Sequence, residues 1–322
     1  MPTQVAGILL AAGGGSRLGS PKALVEIGGQ TLAARGAGLL RSGGADPIVV
    51  VITQSGETAD TTAAQREALN RGAKTVAISN VADSTISREA SAKLHTCAGL
   101  EKAVPATKSF TSQLTLLYLL SLFLARKRGR LTSETTRTHL IHLDAVPTAI
   151  EKSLLQWDAQ AAECARELQH SRAFLFLGRG VHYAIAREGA LKLKEISYVQ
   201  AEGLPAGELR HGPNALVDEK LPIIVLATRD ASDPDSMLRY HKTLGVLEYI
   251  KSAGGKTIAI ATEGDREITN VAHRTIFVPP APELLLPILE VVPLQLFAYH
   301  FAILNGCNVD HPRNLVKAVV TE

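Results

Sequence analysis

Short runs of apolar residues, several of them β-branched, recur along the chain, and each leads into a loop rich in hydroxyl side chains or glycine. Residues 47–52 read PIVVVI before the loop TQSGET, and residues 222–227 read PIIVLA before TRDAS. Runs of this length that are apolar throughout are typical of strands buried on both faces of a parallel sheet. The pattern therefore predicts parallel sheets covered by helices.

The two runs belong to an internal repeat. GAKTVAIS (residues 72–79) follows the first run, and GGKTIAIA (254–261) follows the second. Upstream, residues 6–10 enter a glycine loop, and residues 173–177 enter a GRG loop before a helical pattern. Each half therefore reads strand, glycine loop, helix, strand, polar loop, helix, strand. This order predicts an α/β fold with two doubly wound parallel sheets, each half a three-layer αβα structure.

Two further stretches predict helices. Residues 130–171 have helical periodicity and no glycine loop, so we interpret them as the connector between the halves, with a boundary near residue 170. Residues 114–125 (LTLLYLLSLFLA) fall short of the roughly 20 residues that cross a membrane, and predict a buried or subunit-facing helix. The predicted segments are a unit that completes the first half (1–50), the first domain with its connector (51–170), the second domain (171–304) and an active-site tail (305–322).

Composition narrows the function classes. In 322 residues, 34 Lys and Arg oppose 31 Asp and Glu, and no long basic block provides a surface for nucleic acid. Cys97, Cys164 and Cys307 lack the spacing of metal sites or a disulfide framework. The apolar run near the N-terminus has no basic segment before it, unlike a signal peptide. We expect a cytoplasmic protein with reduced thiols, no metal, no cofactor and no membrane partner.

Three charged residues fall on one face of the predicted helix that begins near Tyr183. Glu188, Lys192 and Glu195 are spaced i, i+4 and i+7, so two carboxylates flank one ammonium. Such a row could move a proton between adjacent carbons while the cation holds the enolate charge. The alternative is a solvated ladder of ion pairs, which is common on helices.

Two segments beyond this helix carry further candidates. His211 lies in GELRHGP (207–213), on a tight loop, and could act in acid–base chemistry or be an ordinary surface residue. The tail at 310–322, DHPRNLVKAVVTE, is rich in groups that bind a phosphate or a carbonyl, although chain ends are often frayed.

The loop TQSGET (53–58) follows a predicted buried strand and should open a helix. Its hydroxyls and backbone N–H groups would then point at one spot that favours an anion. The alternative is a simple N-cap, with Thr53 or Ser55 bonding the first free amides of the helix. Three hydroxyls and a glycine in six residues favour a phosphate cradle.

These motifs together resemble one family. Most of the chain from about residue 49 is similar to the paired sugar isomerase (SIS) domains, flavodoxin-like in fold, of glucosamine-6-phosphate synthases. The segments that carry the resemblance are QSGETADT (54–61), AGLEKAVPATKSFTSQLT (98–115), LGRG (177–180), EGALKLKEISYVQAEGLPAGELRHGP (188–213) and VDHPRNLVKAVVTE (309–322).

The resemblance implies catalytic roles for four residues in addition to Glu188. The residue matching Glu195 shuttles a proton between C1 and C2, and the one matching Lys192 steadies the enolate. The match to His211 assists ring opening from the neighbouring subunit, and the match to Lys317 receives the ketose carbonyl. A homodimer with its active site at the subunit interface is therefore implied.

The resemblance also implies a binding site for a hexose 6-phosphate or amino-sugar phosphate. Its implied phosphate ligands are Gln54, Ser55 and Thr58, and Val104 and Ala106 would lie along the sugar. Family members usually have serine in place of both Thr53 and Ala106, and only threonine keeps the hydroxyl. The family's glutaminase domain, with its N-terminal cysteine, has no counterpart, since Met1 precedes Pro2 here. We therefore expect no glutaminase activity.

Residues 6–50 instead resemble the start of a nucleotidyltransferase of the molybdenum-cofactor type. The match is GILLAAGGGSRLGSPKALVEIGGQTL (7–32). The positions at which that family cradles a nucleoside triphosphate are occupied here by Gly13, Gly14, Gly15, Arg17 and Lys22. The aspartate that such enzymes need to hold magnesium has no counterpart. We interpret the segment as a strand, loop and helix that replace the first unit of the isomerase half.

The primary interpretation is a sugar-phosphate isomerase that acts on fructose 6-phosphate or glucosamine 6-phosphate by enediol proton transfer, with ammonia-dependent amination or deamination. One alternative is a non-catalytic sensor of amino-sugar phosphates, which would bind without turnover. Another is an NTP-dependent nucleotidyltransferase, whose magnesium-dependent triphosphate binding Lys22→Ala would abolish.

Overall fold

The computed structural model describes residues 5–11, 26–27, 30–31 and 45–317. The described chain forms two compact units. The first contains the residues up to Leu116 together with Val316 and Lys317, and the second is Leu117–Leu315.

The first unit contains a parallel sheet. Its strands are β1 (Val5–Ala11), β4 (Ala45–Ile52), β5 (Lys74–Ser79) and β6 (Ala92–His95), and a separate antiparallel pair is formed by β2 (Glu26–Ile27) and β3 (Gln30–Thr31). The strand order is β1-β4-β5-β6, and every neighbouring pair is parallel. Because β1 pairs with β4 from Val5 opposite Ala45 to Ala11 opposite Val51, the unusual N-terminal segment supplies a strand to this sheet.

Two helices of the first unit are α1 (Ala59–Asn70) and α2 (Thr85–Glu89). The side chains of Val49 and Val51 pack with Ala64 and Ala68 of α1 and Ile86 of α2 in one buried cluster. Alternate residues of β4 thus face these helices, as the pleat of a strand requires.

The apolar run at 114–125 lies within helix α3 (Lys108–Lys127). Tyr118 and Leu122 are buried, most other side chains of the run are half-buried, and Phe123 is 56% exposed. The helix is therefore present as predicted but is not fully buried by its own chain. Its role at a subunit interface stays a prediction.

The second unit contains a five-stranded parallel sheet. Its strands are β7 (Ala173–Gly178), β8 (Gln200–Pro205), β9 (Ile223–Ala227), β10 (Thr257–Thr262) and β11 (Arg274–Val278). The order is β11-β10-β9-β7-β8. Its helices are α4 (Ser133–Leu168), α5 (Val181–Ser197), α6 (Pro234–Ser252) and α7 (Leu286–Leu304), with 3₁₀ turns at Ala206–His211, Pro213–Leu216 and Ile268–Asn270.

Helices cover both faces of this sheet. Leu175 and Leu177 pack in one cluster with Val246 and Leu247 of α6. Phe174, on the opposite face of the same strand, makes edge-to-face ring contacts with Phe297 and Phe301 of α7. The second unit is therefore a three-layer αβα structure, and the α/β prediction is confirmed.

The predicted connector is the helix α4, which belongs to the second compact unit. It packs against α7 and β11, and the indole N–H of Trp157 donates a hydrogen bond of 2.7 Å to the carbonyl of Phe277. These contacts explain why α4 belongs to the second unit, which begins at Leu117. The sequence-based domain bounds remain a prediction.

Helix α7 is long and apolar enough to cross a membrane by length and composition alone. Most of its residues are nevertheless buried inside the protein, including Phe297 and Phe301, because α7 packs against α4 and α5. It has the features of a core helix.

Candidate active site

The helix α5 starts directly beyond β7, after a tight turn at Arg179 and Gly180. Gly180 is the N-cap residue, with φ 61° and ψ −131°. The helix therefore begins at the carboxyl end of a central parallel strand, the edge at which open α/β sheets bind ligands. This placement confirms the predicted strand, glycine turn and helix.

The three charged residues of α5 meet as the spacing predicts. Lys192 is 4% exposed, and its ammonium donates a hydrogen bond of 2.6 Å to Oε2 of Glu195. Oε1 of Glu188 lies 3.4 Å from the same nitrogen. The burial of Lys192 excludes a solvated ladder, because an exposed ladder would leave the ammonium in water.

Burial shifts the pKa of one carboxylate in this cluster. It is the main reason that the pKa of Glu188 lies above its usual range, while Lys192 lowers that pKa and Glu195 raises it. The side chain of Glu195 is 24% exposed, against 13% for Glu188. Glu195 is thus the carboxylate of the pair that solvent reaches more easily.

His211 ends the 3₁₀ turn Ala206–His211 and is followed by Gly212 at φ 132°. The tight turn is as predicted, and the imidazole is exposed. Within the described chain, no hydrogen bond or ion pair joins it to the α5 cluster. Its role in catalysis remains a prediction.

The loop 53–58 lies in the first unit, between β4 and α1. The hydroxyl of Thr53 accepts from the Gly56 N–H at 3.1 Å, and that of Ser55 accepts from the Glu57 N–H at 3.2 Å. These bonds close the loop itself, ahead of the helix that starts at Ala59. Thr58 is the N-cap, and its side chain makes no capping bond. The simple N-cap interpretation of Thr53 or Ser55 is therefore wrong.

Gly56 is required at the centre of this loop. Its φ is 72°, and a Cβ at this position would lie 2.0 Å from the hydroxyl of Ser84. Asn80, directly after β5, supports the loop, since its N–H donates to the Gln54 carbonyl at 3.1 Å. Its side chain donates to the Gly99 carbonyl at 2.8 Å. The side chains of Gln54, Ser55 and Thr58 are half-buried.

Lys317 lies in the first unit, against the segment that contains Val104. Its ammonium donates to the carbonyls of Ala103 at 2.6 Å and Val104 at 3.3 Å. The carboxylate of Glu101 lies 3.5 Å away. The end of the described chain is therefore ordered around a specific lysine, and Ala106 is half-buried two residues beyond Val104.

Glu101 is a functional candidate that sequence reasoning missed. It is buried and accepts hydrogen bonds from the Thr107 N–H at 2.7 Å and from the Ser109 hydroxyl. Burial raises its pKa, but these hydrogen bonds and Lys317 outweigh that effect and hold the pKa below its usual range. A charged Glu101 can thus orient the Lys317 ammonium.

A second missed group surrounds His182 in the first turn of α5. His182 is fully buried, with Nδ1 2.7 Å from the Glu290 carboxylate and Nε2 2.9 Å from Glu283. Arg239 pairs with Glu283 at 2.7 Å. The sequence feature that could have revealed this group is the presence of glutamates inside the otherwise apolar run PELLLPILEVV.

The sequence-predicted residues fall in two groups by unit. The first unit holds Lys317 and the described binding candidates, which are Thr53, Gln54, Ser55, Thr58, Val104 and Ala106. The second unit holds Glu188, Lys192, Glu195 and His211. Gly13, Gly14, Gly15, Arg17 and Lys22 lie outside the described residues. Among the described residues, no group of three or more His, Cys, Asp or Glu side chains could hold a metal ion.

Comparisons with known proteins identify the family of the chain. The SIS domain family matches residues 24–122 and 167–305. The chain is 48% identical over 277 residues to the glutamine–fructose-6-phosphate aminotransferase (isomerizing) of Chlorobaculum tepidum, and the match covers 86% of this chain and 44% of that protein. The Methanosarcina acetivorans enzyme of the same name is 47% identical over 275 residues, which cover 85% and 43%.

The chain thus spans less than half the length of these relatives. Among solved structures, it matches the C-terminal domain of glucosamine-fructose-6-phosphate aminotransferase from Francisella tularensis with a TM-score of 0.76 and 34% identity. That match covers 83% of this chain and 73% of the other. The chain therefore belongs to the SIS domain family and is related to the C-terminal domain of these aminotransferases.

Proposed function

We propose that the chain is a sugar-phosphate isomerase that interconverts fructose 6-phosphate and glucosamine 6-phosphate with free ammonia. In the forward direction ammonia adds to the C2 carbonyl and water leaves, which gives an imine. A proton then moves between C1 and C2, and the resulting aldehyde closes to the amino-sugar ring. The overall balance is fructose 6-phosphate plus ammonia to glucosamine 6-phosphate plus water.

The observation that carries the proposal is the buried Lys192 held between Glu188 and Glu195. An ammonium in a site of low polarity stabilises a developing enolate strongly, because water does not screen it. The more exposed Glu195 carboxylate is suited to take a proton from one carbon and return it to the next. Glu188 holds Lys192 in place from the opposite side.

The remaining roles follow from the family resemblance. Gln54, Ser55 and Thr58 would bind the phosphate on a loop that is already closed by its own hydrogen bonds. Lys317, oriented by Glu101, would receive the ketose carbonyl. His211 would assist ring opening from a neighbouring subunit, which its exposed position permits.

We also propose a cytoplasmic homodimer. Helix α4 leaves apolar side chains uncovered, among them Ile141 at 59% and Leu155 at 86% exposure. A second copy of the chain is the natural cover for such a surface in this family. All three cysteines are free thiols, which fits a reducing compartment.

The proposal is tested by Glu195→Gln and Lys192→Ala in the purified chain. With fructose 6-phosphate and ammonium as substrates, each variant should lose about 10²–10⁴-fold in kcat. Fructose 6-phosphate binding, measured by calorimetry, should persist in Glu195→Gln. The matched control is Lys194→Ala, an exposed lysine on the same helix, which should keep wild-type turnover. Unchanged turnover in Glu195→Gln would refute the assignment.

A further inference from the structure

The second unit repeats the strand, loop and helix that forms the candidate phosphate loop of the first. In the first unit β4 leads through residues 53–58 into α1, and in the second β9 leads through residues 228–233 into α6. Both loops lie at the carboxyl end of a parallel strand and open a helix, which is the position where α/β sheets bind anions.

Four hydrogen bonds in the second unit converge on the carboxylate of Glu283. Oε1 accepts from Arg239 Nε at 2.7 Å and lies 2.9 Å from His182 Nε2. Oε2 accepts from the Ser236 hydroxyl at 2.5 Å and from Arg239 Nη2 at 2.9 Å. Ser236 and Arg239 belong to the first turns of α6, and His182 to the first turn of α5. The donors of two helix starts therefore meet at one carboxylate.

The side chains that donate these hydrogen bonds are buried, whereas the Glu283 carboxylate that accepts them is partly exposed to solvent. The His182 side chain is fully buried and that of Arg239 is 8% exposed, whereas that of Glu283 is 16% exposed. Nη1 of Arg239 is also buried and has no hydrogen-bond partner in the described chain. The cluster thus has one donor that Glu283 does not use, and one side from which an ion could enter.

Glu283 is one of two acids that bond the donors of this cluster. The second acid is Glu290, which bonds His182 at 2.7 Å and accepts from the Thr228 hydroxyl. Burial raises the pKa of Glu283, but hydrogen bonds from His182, Arg239 and Ser236 outweigh it and hold the pKa at about 2. Burial lowers the pKa of His182, but Glu290 and Glu283 outweigh burial and raise it. Asp230 adds a third carboxylate beside the cluster, since it accepts a hydrogen bond from the Glu283 N–H at 3.3 Å.

We infer that Glu283 is a built-in anion, which occupies in the second unit the position that a phosphate would take, and that its removal opens a site for a tetrahedral oxyanion. His182, Arg239 and Ser236 would bind that oxyanion, as they now bind the carboxylate. The native chain therefore holds one sugar phosphate, in the first unit, a consequence that rests on the proposed function. The oxyanion site itself does not.

The test is the thermal unfolding of Glu283→Ala with inorganic phosphate as the probe. The truncation leaves the buried donors of His182, Arg239 and Ser236 without their carboxylate partner, so the variant should melt below wild type in chloride. Phosphate should raise its Tm by roughly 4–7 °C at a concentration about 20 times the dissociation constant. Wild type sets the baseline, because phosphate can still bind the loop 53–58 of the first unit. With sodium chloride of equal ionic strength as the reference, its Tm rise should be smaller than that of Glu283→Ala.

Two variants control for charge and for general salt effects. Glu283→Gln removes the charge but fills the space with an amide, so its response to phosphate should be no larger than that of wild type. Glu167→Ala removes a carboxylate that also bonds a histidine and an arginine, His273 and Arg274, but at the open surface. It should respond to phosphate no more than wild type.

If Glu283→Ala does not fold in chloride, its refolding yield tests the inference instead. In that case Glu283→Ala should refold from denaturant with a higher yield in phosphate than in chloride of equal ionic strength. Equal responses of Glu283→Ala and Glu167→Ala, or equal refolding yields in the two salts, would overturn the inference. Neither readout depends on turnover, so the test is independent of the proposed function.

Discussion

Glu188 shows how the setting of a single residue adapts it to a site. It lies on the same helix face as Lys192, and an ion pair alone would keep it charged. Burial outweighs the ammonium and raises its pKa, because a carboxylate loses hydration inside the protein. The side chain therefore keeps its proton to a higher pH than an ordinary glutamate.

This shift predicts a pH-dependent effect of Glu188→Gln on stability. A carboxyl whose folded pKa is raised contributes stability below its unfolded pKa, near 4.5, and loses that contribution as the pH rises through the folded value. The Tm of the variant, relative to wild type, should therefore increase as the pH rises from 4 through the folded pKa, and then level off. Thermal unfolding at several pH values measures this difference.

The control for this series is Glu248→Gln, an exposed carboxylate on α6. Its Tm difference from wild type should vary less over the same pH range. A Tm difference for Glu188→Gln that is flat or falls with pH would contradict the burial argument.

At the scale of elements, apolar runs predicted the central strands to within about two residues. β4, β5, β7, β9 and β10 all arise from continuous apolar segments that both faces of a sheet bury. β6 (AKLH) and β8 (QAEGLP) were not predicted, because both are edge strands whose residues do not form an apolar run. Pairing with a neighbour, rather than local pattern, makes these segments strands.

The turn from β7 into α5 gives an element-scale prediction. A Cβ at Gly178 would lie 2.3 Å from the backbone oxygen of His182, so Gly178→Ala must displace the start of α5. The free energy of unfolding should fall by about 1–3 kcal/mol, and the α5 cluster should be disturbed with it. Chemical denaturation measures the first effect and kcat the second.

Gly245→Ala is the matched control on α6. A Cβ there meets no atom within 4 Å, and the residue lies inside a helix. Replacement of a helical glycine by alanine should raise stability by about 0.5–1 kcal/mol. If both variants lose stability equally, the close approach at Gly178 is not the cause.

At the scale of the whole molecule, the sequence predicted the residues of the candidate site better than their environment. The spacing of Glu188, Lys192 and Glu195 placed them on one face, because helical geometry is local. Spacing could not reveal that Lys192 is buried or that Glu101 contacts Lys317, because these depend on segments distant in sequence. The cluster around Glu283 was missed for the same reason.

The central claim is that the chain moves a proton between C1 and C2 of a hexose 6-phosphate. The most direct measurement is proton NMR of fructose 6-phosphate and ammonium incubated with the purified chain in D₂O, without glutamine. The account predicts deuterium uptake from solvent next to the carbonyl, and its loss in Glu195→Gln but not in Lys194→Ala. Ligand resonances that broaden without any deuterium uptake would contradict the claim, and would identify a sugar-phosphate-binding protein without isomerase chemistry.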